Sequence, residues 1–356
     1  TIASTGGGLV VAPGEGIFTY DEGTVVNLVA EAEEGYVFVN WTGDVGTIVD
    51  VNAGSTTIAM NGDCAITASF AIPIYDWYNL DVIRDNLDGS YVLMNDLDPT
   101  IAGYDELASP TANEGKGWQP IGGGVGVPPA APTWFPPFAG MLYGQGYEIR
   151  DLSICRDSDS GGDVGLFGCI SESGRIMNLG MTGANVSGVL VVGSLVGRND
   201  GGTVNNCYSN TAVAGSQWVG GLIGSNGGTI SDCYSTGNVS GHYRVGGVVG
   251  SNSDVGTVQN CYSIGSIIGS IIGSEDIGGI VGRNRGVVSN CLWDLEASSI
   301  EVSDGGTGKT TAEMQDVATF SGAGWNITAV APGERNTAYT WNIVDEQTYP
   351  FLSWQS

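Results

Sequence analysis

Short apolar runs separated by glycine and asparagine recur along residues 192–291. One copy, Val219–Tyr234, reads VGGLIGSNGGTISDCY, and related lines begin at Val192, Val245 and Ile277. The apolar runs within each copy are too short for helices, and turn-forming residues interrupt them. The pattern therefore predicts short strands joined by tight turns, repeated four times.

The repeat has a nearly constant length. Equivalent asparagines stand 27, 26 and 32 residues apart, and equivalent cysteines stand 26, 28 and 30 residues apart. This period is typical of a solenoid, in which each coil buries its apolar side only against its neighbours. Equivalent strands would then lie in parallel, about 4.8 Å apart. We therefore predict a right-handed parallel β-helix. The equivalent positions are Asn199, Asn226, Asn252 and Asn284, and Cys207, Cys233, Cys261 and Cys291.

A further polar column precedes the cysteines. An amide ladder at these positions would join neighbouring coils through hydrogen bonds, which is a structural role. Its members are Asn178, Asn206, Asp232, Asn260 and Asn290.

The first 71 residues follow a different pattern. Apolar and polar residues alternate in Val25–Ala30 and Cys64–Phe70, as in half-buried strands. Tyr36, Phe38 and Trp41 form an aromatic group that would anchor a small sheet. This segment is predicted to be a separate all-β module.

Two family resemblances follow from these motifs. The fourfold G-[GS]-[LVI]-[IV]-G-x-N line resembles the GLUG repeat of bacterial and archaeal surface proteins, which implies a β-solenoid in an extracellular setting. Residues 1–71 resemble the divergent internalin-type B-repeat, a small β-grasp-like module that serves as a spacer or stalk. The remaining boundaries are predicted at 72–356 for the β-helix, with a cap helix at 75–87, coils at 90–291 and a C-terminal cap at 292–356.

The net charge of this 356-residue chain limits the kinds of partner that it can bind. It carries 38 acidic and 11 basic residues, a net charge of −27, and would be repelled by nucleic acid and anionic membranes. No apolar window reaches the roughly 18 residues of a membrane span. The chain lacks an initiator methionine and a signal peptide, so we expect a processed or excised piece of a longer secreted protein.

Seven cysteines leave two interpretations open. The four repeated cysteines would face inward, either as buried thiols or as disulfides between neighbouring coils. Ligation of a metal by cysteine and histidine is disfavoured, because no C-x-x-C pair occurs and His242 is the single histidine.

The acidic run 157–163 resembles a calcium loop. Asp157, Asp159 and Asp163 stand at alternating positions, but Gly168 occupies the place of the bidentate glutamate. The run is therefore either a calcium site or a solvated turn, and we predict no other cofactor.

The corner before each V-G-G line is a candidate ligand site. Trp218 and Tyr243 could stack on sugar rings, with Arg244 and Asp276 bonding hydroxyl groups. Alternatively, these aromatic residues pack under loops or against a neighbouring chain. Three residues of an earlier loop would extend the surface, namely Trp118, Trp134 and Phe135.

The function predicted from these features is structural. We expect an extracellular cell-surface protein for display, adhesion or assembly in a surface layer or filament, with further copies, other surface proteins or polysaccharide as partners. The alternative is a carbohydrate-binding module or a carbohydrate-active enzyme, since β-helices also host polysaccharide lyases and hydrolases. Two lysines and one histidine make a lyase hard to assemble. No acidic pair lies in an aromatic groove of the repeats, as a hydrolase would need.

Overall fold

The structure is a computed structural model that describes residues 1–123, 136–157, 162–269 and 276–355. It contains two compact units. The first comprises Thr1–Ile74 with Gly89–Val92, and the second comprises Tyr75–Asp88 with Leu93–Ser356.

The first unit is built from β-strands. Strand 66–74 pairs in parallel with strand 2–4 and in antiparallel orientation with strand 37–43. A second sheet places strand 24–32 between strands 8–12 and 55–60. The bounds are Ile2–Ser4, Gly8–Ala12, Thr24–Ala32, Val37–Gly43, Ser55–Met60 and Ile66–Ile74, followed after the helical region by Ser90–Leu93.

The predicted aromatic group packs in this unit, with Trp41 in its largely aliphatic core and Tyr36 and Phe38 partly buried against that core. Trp41 is buried, and its Nε1 donates to Ala53 O at 3.0 Å. Phe38 contacts Trp41 and Phe70, with ring centroids 5.7 and 5.8 Å apart. These contacts tie strand 37–43 to strand 66–74.

The second unit is a parallel β-solenoid, which confirms the predicted fold class. Each coil passes through four faces, and equivalent strands pair in parallel from coil to coil. The first face contains Asp163–Val164, Val191–Gly193, Gln217–Gly220, Tyr243–Gly246 and Ile277–Gly278. The second face contains Phe167–Ser171, Val196–Asp200, Ile223–Asn226, Val249–Asn252 and Val281–Asn284.

The other two faces complete each coil. The third face contains Met141–Tyr143, Arg175–Met177, Thr203–Asn205, Thr229–Ser231, Thr257–Gln259 and Val287–Ser289. The fourth face contains Glu148–Arg150, Ser153–Arg156, Gly180–Gly188, Tyr208–Ala214, Tyr234–Ser235, Val239–Gly241, Tyr262–Ser263, Ile267–Gly269, Leu292–Asp294 and Thr307–Lys309.

Apolar side chains that point inward from every face explain why these residues form a solenoid. In one coil Val219, Ile223, Ile230 and Cys233 are fully buried, one from each face or from the corner beside it. Glycine is required where faces meet, because a Cβ at Gly247 would collide with Gly279 O and Ser263 Oγ. Apolar burial of this kind is the dominant favourable contribution to folding.

A short helical region begins the second unit. The α-helix Trp77–Asp81 is followed by the 3₁₀ helix Val82–Asp85, so the predicted helix at 75–87 is shorter and changes type. Asp76 is its N-cap, and its carboxylate accepts a hydrogen bond from Asn79 N at 2.7 Å. The remaining helical segments are Tyr104–Ala108 (a π-helical turn), Ala112–Gly115, Leu295–Ser298, Thr311–Met314 and Val317–Gly322.

Trp118 lies in the core of this region, which corrects its expected place on a binding surface. Its side chain is fully buried, and its ring lies 6.0 Å from that of Trp77. Its Nε1 donates to Leu166 O at 3.1 Å. Trp134 and Phe135, predicted to extend the same surface, lie outside the described residues.

The C-terminal tail packs along the side of the solenoid. Its strands Ile327–Ala329, Trp341–Ile343 and Phe351–Leu352 form a small sheet. The sequence predicts strands that close the C-terminal end, yet these strands cover a row of tyrosines on the fourth face. Thr310 and Glu313 form the predicted capping box at the start of the tail.

Candidate functional site

The repeated asparagines form a buried ladder at the end of the second face. Asn199 Nδ2 donates to Asn226 Oδ1 at 2.8 Å, and Asn226 Nδ2 donates to Asn252 Oδ1 at 2.8 Å. Asn252 Nδ2 donates to Asn284 Oδ1 at 2.9 Å. All donors point toward the C-terminal coil. Asn199 Oδ1 has no hydrogen-bond partner in the described structure, because Ile170 stands opposite Asn199 in the preceding coil.

The second polar column turns the corner into the fourth face. All five members adopt positive φ between 50° and 54°, a region that asparagine and aspartate tolerate better than other side chains. Asn260 Nδ2 donates to Asp232 Oδ1 at 3.2 Å, and Asn290 Nδ2 donates to Asn260 Oδ1 at 3.3 Å. The column therefore fixes both the backbone turn and the spacing between coils.

The repeated cysteines are buried free thiols in this structure. Each Sγ donates to the carbonyl oxygen two residues earlier, for example Cys233 to Ser231 O at 3.1 Å. Burial raises the pKa of Cys233 and Cys291 well above the usual value of a thiol. These thiols thus pack as small apolar residues between coils.

A row of stacked tyrosines lies on the outer side of the fourth face. Tyr208 and Tyr234 are 5.0 Å apart between ring centroids, Tyr234 and Tyr262 are 4.8 Å apart, and each pair is tilted by 5°. Trp341 of the tail covers Tyr234 and Tyr262, with centroids 5.9 Å from each. Trp354 covers Tyr208 at 5.6 Å. The tail therefore shields this row from solvent.

Glu148 lies beneath the tyrosine row. Burial opposes its charge, but hydrogen bonds from Tyr208, Arg150 and Thr182 outweigh burial and hold the pKa of Glu148 below its usual value. The carboxylate is therefore a structural acceptor for three donors.

This lowered pKa predicts a pH-dependent contribution to stability. A carboxyl whose pKa is lower in the folded state stabilises the fold above its unfolded pKa of about 4.3 and loses this effect as pH falls through the folded pKa. The free energy of unfolding of Glu148→Gln should thus fall furthest below wild type near pH 7, and the gap should narrow below pH ~4.3. Urea titrations of wild type and Glu148→Gln at several pH values measure this difference in the free energy of unfolding. Tyr208→Phe should show a smaller gap of the same sign, and a gap independent of pH would contradict the prediction.

The four residues predicted to bind a ligand lie at the start of the first face, where the chain arrives from the fourth face. Arg244 Cζ lies 5.5 Å from the ring centroid of Trp218 and 4.7 Å from that of Tyr243. Arg244 Nε lies 3.4 Å from Asp276 Oδ2. The structure thus brings all four together, and the carbohydrate site stays a prediction.

Trp218 supports Arg244 through its ring. The guanidinium covers one face of the indole, so that face of the ring is not free for a sugar. Trp218 and Arg244 both adopt positive φ, 48° and 54°, which is uncommon for bulky residues. Trp218 Nε1 is buried and has no hydrogen-bond partner in the described residues.

The sequence patterns did not single out two further arginines, Arg283 at the second face and Arg285 directly after it. Arg283 Nη1 lies 3.6 Å from Asp276 Oδ2, so this carboxylate serves two guanidinium groups. Arg285 is exposed and forms no ion pair in the described parts of the chain. The G-R-N phrase that recurs at Arg198 and Arg283 could have indicated Arg283. We refer to Tyr243, Arg244, Asp276, Arg283 and Arg285 as the arginine corner.

The two described residues of the predicted calcium site, Asp157 and Asp163, bind different partners. Asp163 binds Arg198 through two contacts of 3.0 Å, and burial raises the pKa of Asp163 despite this partner. Asp157 accepts a hydrogen bond from Ser187 at 3.0 Å on the fourth face. Asp159 lies outside the described residues. Calcium binding stays a prediction, and the Asp163 carboxylate is already engaged by an arginine.

No helix in the described ranges is long and apolar enough to cross a membrane. Within the same ranges, no cluster of three or more histidine, cysteine or acidic side chains is arranged to hold a metal ion.

Two curated proteins share sequence similarity with parts of this chain. Halomucin of Haloquadratum walsbyi is 35% identical over 113 residues, which cover 32% of this chain and 1% of halomucin. A protein of Evansella cellulosilytica, provisionally named as a Gly-rich membrane protein, is 35% identical over 77 residues, which cover 20% of this chain and 9% of that protein. The chain thus spans a small fraction of the length of either relative. No solved structure matches it significantly.

Family profiles match two separate segments. Residues 1–73 match the divergent InlB B-repeat domain, and residues 215–240 match the GLUG motif. Both resemblances inferred from the sequence are thereby confirmed. The chain carries a divergent InlB B-repeat domain at its start and a GLUG motif within its solenoid.

Proposed function

We propose that this chain is a non-catalytic structural module of an extracellular surface protein, used for display, adhesion or assembly. The observation that carries the proposal is the asparagine ladder inside the solenoid, whose amides bond their equivalents in neighbouring coils. The asparagine ladder and the corner column use their amides to connect coils. Such residues maintain a regular stack, which is what a spacer or scaffold needs.

The matched families and relatives support an external location. The internalin-type B-repeat resemblance implies a stalk module, and the GLUG resemblance implies a surface protein. The names of the two relatives refer to a mucin and to a membrane protein. A net charge of −27 fits a chain that stays soluble outside the cell and avoids nucleic acid. Further copies of the chain and other surface proteins are the proposed partners.

Two partly buried carboxylates of the second unit, those of Glu148 and Asp163, have structural partners. Hydrogen bonds and an ion pair engage Glu148 and Asp163, the first under the tail and the second beside Arg198. A glycosidase needs one carboxyl to give up a proton and a second to attack or activate water across an open cleft. These two groups lie on the fourth and first faces and cannot act as such a pair.

Intact cells that produce the full protein test the proposal. An antibody against residues 311–355 should bind these cells without permeabilisation, and external protease should remove the signal. Purified chain incubated with polysaccharides should release no new reducing ends. Detection only after permeabilisation would refute the surface location, and release of reducing sugar would refute the non-catalytic role.

A further inference from the structure

The arginine corner is a local excess of positive charge on a strongly acidic chain. The guanidinium groups of Arg244 and Arg283 both contact Asp276, and exposed Arg285 stands two residues after Arg283, directly beyond the end of its strand. Asp276 is shared by two of them at 3.4 and 3.6 Å, both longer than a charge-assisted hydrogen bond of about 2.8 Å. Asp304 lies nearby, where its Oδ2 accepts Asn284 N at 2.7 Å. Neighbouring carboxylates therefore neutralise the corner incompletely.

Positive charge of this kind stands out from the rest of the molecule. The first unit carries no lysine or arginine at all between Thr1 and Ile74. At physiological ionic strength charges separated by more than about 8 Å are largely screened, so a small ligand at the corner experiences the nearby arginines more than the distant carboxylates.

The corner is also held in place before any ligand arrives. The Arg244 guanidinium packs over the rings of Trp218 and Tyr243, and the backbone at Arg244 has a φ of 54°. A guanidinium held by aromatic rings loses little conformational freedom on binding an anion. Unusual backbone geometry of this type often accompanies functional sites.

Neutral groups around the arginines suit a sugar. Tyr243 is 37% exposed, so the part of its ring that Arg244 leaves uncovered can contact the CH groups of a pyranose. Ser251 lies beside Arg283 in the neighbouring coil, and Ser225 lies beside Ser251 in the next. Neither serine hydroxyl forms a hydrogen bond within the described structure, which leaves both for the hydroxyl groups of a saccharide.

We propose that the arginine corner binds acidic saccharides, with Arg283 and Arg285 receiving a carboxylate or sulfate group and Tyr243 contacting the sugar ring. This inference rests on the proposed surface function and assigns it a ligand class. Arg244 and Trp218 act as positioning residues that hold the corner in shape.

Affinity electrophoresis of the whole chain in gels containing polygalacturonate tests this inference. Wild type should be retarded, and dextran, a neutral polymer, should leave its mobility unchanged. The double variant Arg283→Gln/Arg285→Gln should bind polygalacturonate with a dissociation constant raised about tenfold or more, as expected for the loss of two charge-assisted contacts. Arg175→Gln is the matched control, since Arg175 is exposed on the third face and bonds Thr203 there.

Polyglutamate separates recognition of a sugar from simple attraction of a polyanion. Tyr243→Ala should weaken binding to polygalacturonate several-fold and should weaken binding to polyglutamate by a clearly smaller factor, because only the sugar loses a ring contact while both lose some support of Arg244. Equal retardation by the two polymers, no retardation by polygalacturonate, or an unchanged double variant would each overturn the proposal. All variants alter exposed or half-exposed residues, and far-ultraviolet circular dichroism confirms that each is folded.

The two proposals fail separately. A chain that is displayed on intact cells but does not bind polygalacturonate would remove the ligand class and leave the surface function. A chain that binds the polymer but is found only inside the cell would remove the proposed function.

Discussion

Trp341→Ala is expected to lower the free energy of unfolding of the second unit by about 3–5 kcal/mol, the range for truncating a fully buried aromatic residue. Trp341 is fully buried and contacts Tyr234, Tyr262 and Trp325. Its Nε1 also donates to Asp232 Oδ1 at 3.2 Å, which ties the tail to the corner column. Urea denaturation followed by tryptophan fluorescence and circular dichroism measures the loss.

Tyr339→Ala provides the control within the same tail. Tyr339 is exposed and stands two residues before Trp341, so its loss should change stability by less than about 0.5 kcal/mol. Trp341→Ala should also increase binding of a hydrophobic dye, because the tail no longer seals the tyrosine row. Equal destabilisation by both variants would show that the tail does not depend on this contact.

Asn226→Leu is expected to destabilise the second unit by about 3 kcal/mol or more. Asn226 is fully buried in the middle of its ladder. Leucine has a similar volume but leaves Asn199 Nδ2 without its partner in the next coil and deprives Asn252 Oδ1 of its donor. Each buried polar group left unpaired costs about 1–3 kcal/mol. Thermal and urea unfolding measure the total loss in the free energy of unfolding.

Asn284→Leu tests whether position in the ladder matters. Asn284 is half-buried at the C-terminal end, where its Oδ1 accepts from Asn252 Nδ2 and Gly286 N. No further asparagine follows it, so this variant should cost less than Asn226→Leu. A loss as large as that of Asn226→Leu would mean that volume, rather than hydrogen bonding, determines the effect.

The sequence predicts the solenoid because each coil repeats its own chemistry. The spacing of Asn199, Asn226 and Asn252 indicates a column, and the apolar residues between them indicate its inward direction. Local preferences and the period agree at these positions, so little long-range information is needed. The spacing does not indicate the direction of the amide chain, in which each Nδ2 donates toward the next coil and Asn199 Oδ1, opposite Ile170, has no partner in the described structure.

The sequence pattern could not predict contacts between segments that lie far apart along the chain. The contact of Trp354 with Tyr208 spans more than a hundred residues, and nothing local in either segment indicates it. Trp118 was predicted to lie on a surface because its glycine-rich surroundings are typical of a loop, but tertiary packing against Trp77 buries it. The arginine corner was predicted in part, because Arg244 precedes a V-G-G line, whereas Arg283 and Arg285 lie after the next such line on a different face.

The tail also restricts how the repeat can evolve. A duplicated coil placed within the asparagine ladder would extend every column, since each new amide could donate to the next. The tail could not lengthen with it: Trp354 reaches Tyr208 and Trp341 reaches Tyr234 and Tyr262, so its aromatic contacts are matched to three successive rungs. An added coil would leave one tyrosine uncovered in water. The contacts of the tail therefore disfavour a change in the number of coils between Tyr208 and Tyr262.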